Sequence, residues 1–336
     1  MRRLTGEAGA TPAARSRARR GFTLVEVLIV MVLFGIVGGV ITRVIVRQQR
    51  FYHGVNQIMG TRTQLRQATS VLPVELRTIS SSGGDVLSIA DSAVEVRLHI
   101  ASGIVCQMVG GNDIVFPPVN LASGQTLTAL TQQPQTGDLL FVYNDSSKVG
   151  TFDDRWQPLD VSNVTTSSGH CLGPLFAGAA DLGKNRVVIR VTSTAPNDLM
   201  TGGPISRYVP LGAPVRVLRR VRYSLFQDTD GLWYLGFAQW DPSTSNYSAA
   251  TAVAGPYDTY ASGTGAASGI GFRYYDVDGT EITSGASAAT IASIARIDLR
   301  IRGRTIGRVR ADGLQGGVQQ QYRDSLAMTV MLRNRR

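Results

Sequence analysis

One short segment of the sequence carries residue types that can do chemistry together. Residues 19–26 read Arg-Arg-Gly-Phe-Thr-Leu-Val-Glu and lead into an uncharged apolar stretch that ends at Thr42. If the bond between Gly21 and Phe22 is cut, Phe22 acquires an α-amino group one helical turn from the Glu26 carboxylate. A cation and an anion in a medium of low dielectric constant have a strong reason to pair. Within one chain this pair neutralises the acid, and between chains it fixes the axial register of one helix on another.

The apolar stretch is long enough to cross a lipid bilayer. From Phe22 to Thr42 it has 21 residues. As a helix it spans ~31 Å at ~1.5 Å per residue, against a hydrocarbon core of ~30 Å. Because the basic residues precede the span, we expect the N-terminus on the cytoplasmic side and the bulk of the chain on the other side.

Three kinds of N-terminal segment fit parts of this pattern. A secretory signal peptide needs small residues at a cleavage site after the apolar run, and Val37-Gly38-Gly39 is a poor version of one. A plain signal anchor explains the span but not Glu26, since an acid at the middle of a membrane helix costs ~2.5–3.5 kcal/mol and less near its edge. Favourable contact of Glu26 with the positive end of a helix, worth ~0.3–1 kcal/mol, also requires a helix that begins near Phe22. A segment that is processed after Gly21 explains the order of all these features.

The N-terminal segment resembles that of type IV prepilins and of the pseudopilins of type II secretion. The residues that carry the resemblance are Gly21, Phe22, Thr23, Leu24 and Glu26. The resemblance implies that a membrane aspartyl peptidase, the prepilin peptidase, cuts after Gly21 and methylates the new N-terminus at Phe22. It also implies that Glu26, with Thr23 and Leu24 in the same motif, serves assembly into a helical filament.

A narrow apolar seam predicts that the helix continues beyond the bilayer. Its members recur every seven residues, a spacing that normally packs on a core: Val44, Phe51, Ile58, Leu65 and Leu72. Pro73 predicts a kink or a break in the helix. The serine and glycine run over 80–84 predicts a loop and a domain boundary.

After residue 84 the apolar period changes to two, which predicts strands. The candidate strands are 94–100, 104–109, 139–143, 187–192, 215–226, 232–240, 270–275, 294–301 and 326–332. No helical pattern separates most of them, so we expect antiparallel pairing. The stretch 243–269, rich in Gly, Ser, Thr and Ala, predicts surface loops. The two Asp-x-Asp-Gly sequences that begin at Asp228 and Asp276 predict turns, because neither supplies the oxygen ligands of a calcium loop.

The remaining candidates for chemistry are two cysteines and two groups of arginines. Cys106 and Cys171 both follow the span, where an oxidising compartment favours a disulfide; a buried free thiol at Cys106 is the alternative. One basic cluster holds Arg216, Arg219, Arg220 and Arg222, and the stretch 296–310 contributes six more arginines. A solvated sheet face or a subunit contact is favoured for both, because the net charge of +10 is moderate. DNA as a partner is left open, but no feature supports it.

The composition excludes several classes of protein. In 336 residues, 43% are hydrophobic and 17% are charged, which argues against wholesale disorder. Two cysteines exclude a disulfide-dense scaffold and a four-thiolate metal site, and three histidines far apart make a histidine-rich metal site improbable. No motif for a hydrolase or a dinucleotide site has the required context. We therefore expect no metal, no cofactor and no enzymatic activity.

The sequence predicts an α+β, pilin-like fold. We expect a cleaved basic leader over 1–21, an N-terminal helix over 22–79 that spans the membrane over 22–42, and a large antiparallel β domain over 85–336. The layout resembles that of PilW-type minor pilins and J-type minor pseudopilins.

The resemblance implies a structural subunit of a type IV pilus or a type II secretion pseudopilus. We expect it in the bacterial inner membrane with its C-terminal domain in the periplasm, and later in the filament. The implied partners are the prepilin peptidase, other pilin or pseudopilin subunits, the inner-membrane assembly platform and the lipid bilayer. The alternative is a periplasmic binding module or enzyme whose N-terminal segment is only an anchor.

Overall fold

A single long helix dominates the N-terminal part of the protein. The computed structural model describes residues 21–144, 155–171, 176–193, 205–207, 209–261, 268–309 and 320–333. Helix α1 (Leu24–Leu76) has 53 residues and is the only described helix that is long and apolar enough to cross a membrane, with a mean hydropathy of 2.8 over its most apolar window. The helix is shared between two compact units: the first holds it through Val55, and the second holds it from Asn56 on, together with the strands.

Pro73 does not break α1, so that part of the sequence prediction is wrong. The helix continues to Leu76, and the Arg77 N–H donates to the Pro73 carbonyl at 3.0 Å. A proline within a helix removes one N–H donor and crowds the carbonyl four residues before it. Here the proline side chain is buried, so its packing inside the second unit offsets part of that cost.

Within the second unit one face of α1 is packed on the chain's own strands. The buried positions are three or four residues apart, as on one side of a helix: Thr61, Leu65, Ala68, Leu72 and Leu76. Two members of the predicted seam, Leu65 and Leu72, lie on this face. The seam therefore packs on the protein's own core in this unit.

Sixteen strands and one short helix follow α1 within the described residues. The strands are β1 (Val86–Ile89), β2 (Ala93–Ile104), β3 (Gln107–Val109), β4 (Asp113–Val115), β5 (Thr128–Leu130), β6 (Leu139–Asn144), β7 (Arg155–Ser167), β8 (Arg186–Ser193), β9 (Pro214–Gln227), β10 (Trp233–Asp241), β11 (Asn246–Tyr247), β12 (Thr251–Tyr257), β13 (Ile270–Tyr275), β14 (Glu281–Ile282), β15 (Arg296–Arg304) and β16 (Arg323–Met331). The short helix is α2 (Ala288–Ala292), which Ser287 caps by accepting from the Thr290 N–H.

The strands form two antiparallel sheets. The larger has the order β1-β2-β9-β6-β7-β8-β4-β3, with β10 also paired to β9, β11 and β12, and β5 paired to β2. The smaller has the order β14-β13-β15-β16. The α+β fold with a large antiparallel sheet domain is thereby confirmed.

Several segments differ from the strands that the sequence predicts, among them the short strands β1, β4, β5 and β14, which it does not include. The candidate strand 104–109 is two strands, because β2 ends at Ile104 and β3 begins at Gln107. The stretch 243–269, predicted as loops, contains β11 and β12. In β12 the small Ala254 and the aromatic Tyr257 are buried against the core, so tertiary packing outweighs a composition that does not favour strands. Strand β7 has no counterpart in the sequence prediction.

The interior has two main hydrophobic clusters. The first joins the buried face of α1 to both sheets through residues such as Leu72, Tyr223 and Leu299. The second lies on the other half of the larger sheet and includes Leu140 and Ile189. The end of α1 is therefore part of the core that holds the two sheets together.

Both Asp-x-Asp-Gly sequences form turns. Gly231 and Gly279 have φ values of +78° and +83°, which favour glycine. The Asp276 carboxylate accepts the N–H groups of Asp278 and Thr280, at 3.0 and 2.8 Å. These acids are used to build the turns.

Replacing Leu72 with Ala should destabilise the protein by about 2–5 kcal/mol, because it leaves a cavity where a fully buried side chain joins α1 to the sheets. Urea unfolding of the detergent-solubilised chain measures the change. Val74→Ala, in the same turn of the helix but 66% exposed, is the matched control and should shift the free energy of unfolding by less than ~0.5 kcal/mol. Equal effects of the two variants would contradict this packing of α1.

Candidate functional site

The Gly21–Phe22 bond lies in an exposed segment just before α1. Gly21, Phe22 and Thr23 are outside the helix, and Phe22 is 80% exposed. A Cβ on Gly21 would meet nothing within 4 Å, so the fold itself does not require glycine there. Since the fold does not need a glycine at position 21, Gly21 is consistent with a residue that a processing peptidase recognises. Arg19 and Arg20, in the basic leader, lie outside the described residues.

Thr23 is the N-cap of α1. Its hydroxyl oxygen accepts the N–H of Glu26 at 3.3 Å, and its carbonyl accepts the N–H of Val27 at 3.2 Å. Leu24 is the first residue of the helix, so Glu26 is its third. Thr-x-x-Glu is the sequence of a capping box, a signal that sequence reasoning passed over when it treated Thr23 only as a motif residue.

Glu26 is the acidic residue in the first turn of α1. The unpaired N–H groups of that turn and the positive end of the helix dipole favour a carboxylate there. It borders a shallow depression of about 640 Å³ whose other walls are apolar: Phe22, Val27, Val30, Met31 and Phe34. The geometry thus presents one carboxylate beside a wide apolar surface.

The rest of the span has no partner within the described part of the chain. Every residue from Leu24 to Thr42 is exposed, and no charged residue occurs between Glu26 and Arg43. Positions Gly35, Gly38 and Gly39 could each take a Cβ with nothing within 4 Å, so packing against the residues that the structure describes does not explain them. Such a surface is suited to lipid or to another helix.

Cys106 and Cys171 are joined by a disulfide in the structure, with their Cα atoms 5.6 Å apart. Both are buried and contact Val115 and Val188. Cys171 has a φ of +56°, which residues other than glycine rarely adopt, and its N–H donates to the side chain of Gln107 at 2.5 Å. The disulfide therefore ties the short connection between β2 and β3 to the segment after β7.

The first basic cluster is divided between the two faces of β9. Arg219 points into the interior, where its guanidinium makes two hydrogen bonds of 2.8 Å to Asp138. Arg220 and Arg222 lie on the other face and both bond to Glu95. Arg219, Arg220 and Arg222 are neighbours in the sequence, and each bonds to an acid in the fold. Arg219 has Asp138, whereas Arg220 and Arg222 share Glu95.

Aromatic rings cover the same outer face of β9. Arg220 lies 4.0 Å from the centre of the Trp240 ring, and Arg216 lies 4.8 Å from those of both Phe141 and Trp156. Such cation–π contacts hold guanidinium groups in place. Burial alone would raise the pKa of Glu95, but the hydrogen bonds from Arg220 and Arg222 outweigh it and hold the pKa below its ordinary value of 4.5. Sequence reasoning grouped the arginines but missed two acids that pair with three of them: Glu95 in β2 and Asp138 just before β6.

The comparisons with known proteins give one match. A family model described as the prokaryotic N-terminal methylation motif matches residues 16–42. No curated protein and no solved structure matches the chain. The match covers the cap, the acid and the span described above, and it does not reach the β unit.

Replacing Glu95 with Gln should lower the free energy of unfolding at pH 7 by about 1–3 kcal/mol, because two arginines lose a charged acceptor. Since the folded pKa lies below 4.5, the stabilisation is complete above that value and is lost as the pH falls through the lowered pKa. Thermal unfolding measured from pH 7 to pH 3 should therefore show that the difference in Tm between wild type and variant becomes smaller as the pH falls. Glu281→Gln, which removes an acid that is 45% exposed, is the control. A gap that stays constant with pH would refute the role of the Glu95 charge.

Proposed function

Because its N-terminal segment makes this chain a type IV prepilin-like protein, we propose that it is a minor pilin or minor pseudopilin with a structural role and no enzymatic activity. The observation that carries the proposal is the order of features at the N-terminus. An exposed glycine precedes a capped helix start, an acid lies in the first turn, and an exposed apolar span follows. Processing by the prepilin peptidase and association with pilin-type subunits go with this motif.

The geometry supports a specific use of the cut. Hydrolysis of the bond after Gly21 leaves an α-amino group on Phe22, two residues before α1 begins. Thr23 stays on the mature chain, so the cap survives. The new cation then has Glu26 in the first helical turn as the acid closest in sequence, and in a neighbouring chain the equivalent acid is an alternative partner. Pairing within the chain neutralises the acid in lipid, and pairing between chains sets the register of assembly.

The size of the β unit supports a minor subunit over a major one. Two antiparallel sheets follow the helix, and the layout resembles that of the larger minor pilins and pseudopilins. We propose that the chain is anchored in the bacterial inner membrane with its N-terminus cytoplasmic and its β unit periplasmic. It then enters a pilus or pseudopilus through the assembly platform. Whether that machine serves protein secretion, DNA uptake or adhesion is decided by the partners.

Replacing Gly21 with Leu should block processing and leave a membrane-inserted precursor, because the structure leaves room for the side chain and only recognition is changed. Co-expression with a prepilin peptidase, followed by mass spectrometry, measures the outcome. Wild type should begin at Phe22 and carry one added methyl group, and the variant should keep residues 1–21. Gly39→Leu, in the span and equally unobstructed, is the control and should be processed. A wild-type chain that keeps its leader in the presence of the peptidase would favour a simple tether.

Replacing Glu26 with Val should permit processing and impair incorporation into filaments, because the register contact is lost while the span becomes more apolar. Glu26→Gln tests the charge with little change of shape. Thr42→Val is the matched control: it replaces a polar residue at the other end of the span, whose hydroxyl donates to the Gly38 carbonyl at 2.8 Å, and it should leave incorporation as in wild type. Recovery of each variant in sheared filament fractions measures assembly. Normal incorporation of both Glu26 variants would refute the registry role.

A further inference from the structure

The second group of arginines forms an outward-facing surface on the smaller sheet. In β15 the inward residues Ile297, Leu299 and Ile301 are buried, so the alternate residues face outward. We call this surface the β15 arginine face and define it by Arg273, Arg296, Arg300, Arg302, Arg304 and Arg323. Arg308 lies beyond β15, and Arg310 is outside the described residues.

Two arginines at the centre of this face have no acidic partner within the described part of the chain. Arg273 pairs with Glu281, Arg296 with Asp298, and both Arg304 and Arg323 with Asp258. None of the ion pairs among the described residues involves Arg300 or Arg302. The two β9 arginines on the outer face of the larger sheet that bond to Glu95 show the contrast, since each of them has its acid.

The neighbours of these two arginines are small on both sides. Arg300 lies opposite Gly271 in β13 and Ala327 in β16. Arg302 donates its N–H to the Gly269 carbonyl at 2.7 Å and lies opposite Ser325. Beside Arg300 these positions leave the guanidinium without a large cross-strand neighbour. Beside Arg302, the Asp258 N–H donates to the Arg302 carbonyl at 2.9 Å, so an acid that is paired with other arginines lies next to it.

Two depressions occupy this space. One of about 420 Å³ is lined by Arg300, Gly271 and Ala327, with Asp298 and Thr329 at its side. Another of about 410 Å³ is lined by Arg302, Arg323 and Ser325 together with two acids, Asp258 and Asp324. Both acids are paired with other arginines, Asp258 with Arg304 and Arg323 and Asp324 with Arg62. Each depression contains one of the arginines that lack an acid.

We propose that the β15 arginine face binds an extended acidic segment of a partner protein, with one carboxylate on Arg300 and the next on Arg302. Two residues apart in a strand, these arginines are ~6.8 Å apart along the chain. An extended peptide with acids at alternate positions has the same spacing, so Asp/Glu-x-Asp/Glu matches it directly. Arg is also the residue best suited to binding a carboxylate through two parallel hydrogen bonds.

The charge pattern favours a peptide over a nucleic acid. Asp298 and Asp258 lie among the arginines and would repel a backbone that carries a charge at every unit. The aromatic ring on this face, that of Tyr275, is covered by Arg296 at 4.1 Å and offers no platform for a base. A peptide can instead offer its N–H groups to Asp298. The proposal does not depend on processing after Gly21, since it concerns the β unit alone.

The test is a fluorescence polarisation titration of the full-length chain in detergent at low salt. The probe is a labelled peptide of alternating Thr and Glu. We expect saturable binding that weakens about tenfold in the double variant Arg300→Gln with Arg302→Gln, since each exposed charge pair contributes modestly. Ala327→Tyr keeps the charge, fills the larger depression and should weaken binding as well. An isomeric peptide with its glutamates in one block should bind less tightly than the alternating one.

The matched control is Arg66→Gln with Arg77→Gln. Arg66, on α1, and Arg77, just after its end, are both exposed, so the double variant gives the same loss of net charge and should leave binding within about twofold of wild type. Circular dichroism and thermal unfolding check that every variant is folded. Absence of peptide binding, or equal binding by wild type and the Arg300 and Arg302 variant, would overturn the proposal. Tighter binding of single-stranded DNA of equal charge, lost in the same variant, would assign the face to nucleic acid and also overturn it.

Discussion

A carboxylate in the first turn of an otherwise uncharged, exposed helical span is the constraint on which the protein depends. Glu26 can occupy that position because Thr23 caps the helix and the first turn presents unpaired N–H groups. The next charged residue is Arg43, beyond the span. The second half of the same helix is committed to the core through residues such as Leu65 and Leu72, so it is unavailable to another chain on that face. Every residue of the first half through Thr42 is exposed, so within the described part of the chain its surface is open to lipid and to other helices.

The sequence predicts the helix and the N-terminal site well because both depend on local signals. Length, hydropathy and the order of a few residues place α1 within two or three residues of its ends, and Thr-x-x-Glu is enough to indicate the cap. The strands depend on partners far away in sequence. Strand β12 has a composition that does not favour a strand, and it forms one by pairing with β10. The strand predicted over 104–109 misses the break between β2 and β3 at Cys106. Such segments are decided by tertiary packing, which a single sequence does not display.

The ion pairs of the arginines also depend on residues far away in sequence, so a single sequence does not predict them. Four of them within β9 form one cluster in sequence, yet the strand alternation sends Arg219 to Asp138 and Arg222 to Glu95 on opposite faces. Both acids lie far from β9 in the sequence, Glu95 in β2 and Asp138 just before β6, so their pairing with the arginines could not be foreseen. In β15 the alternation instead places Arg300 and Arg302 on one face, with small residues beside them. Counting arginines in the sequence does not show which of them have an acidic partner, and only the positions of the acids in the fold do.

The two surfaces have different capacities for discrimination. An apolar helix with one acid offers contacts that many similar helices can satisfy, because close packing of apolar side chains distinguishes poorly between partners. Selection between partners requires interactions that a wrong partner cannot make, such as a fixed spacing of charges. In the β unit that property belongs to the β15 arginine face, where two guanidinium groups are held at a strand repeat and lack an acid of their own. We propose a division of labour, in which the helix provides membrane attachment and the contacts common to pilin-type assembly while the β15 arginine face selects the partner.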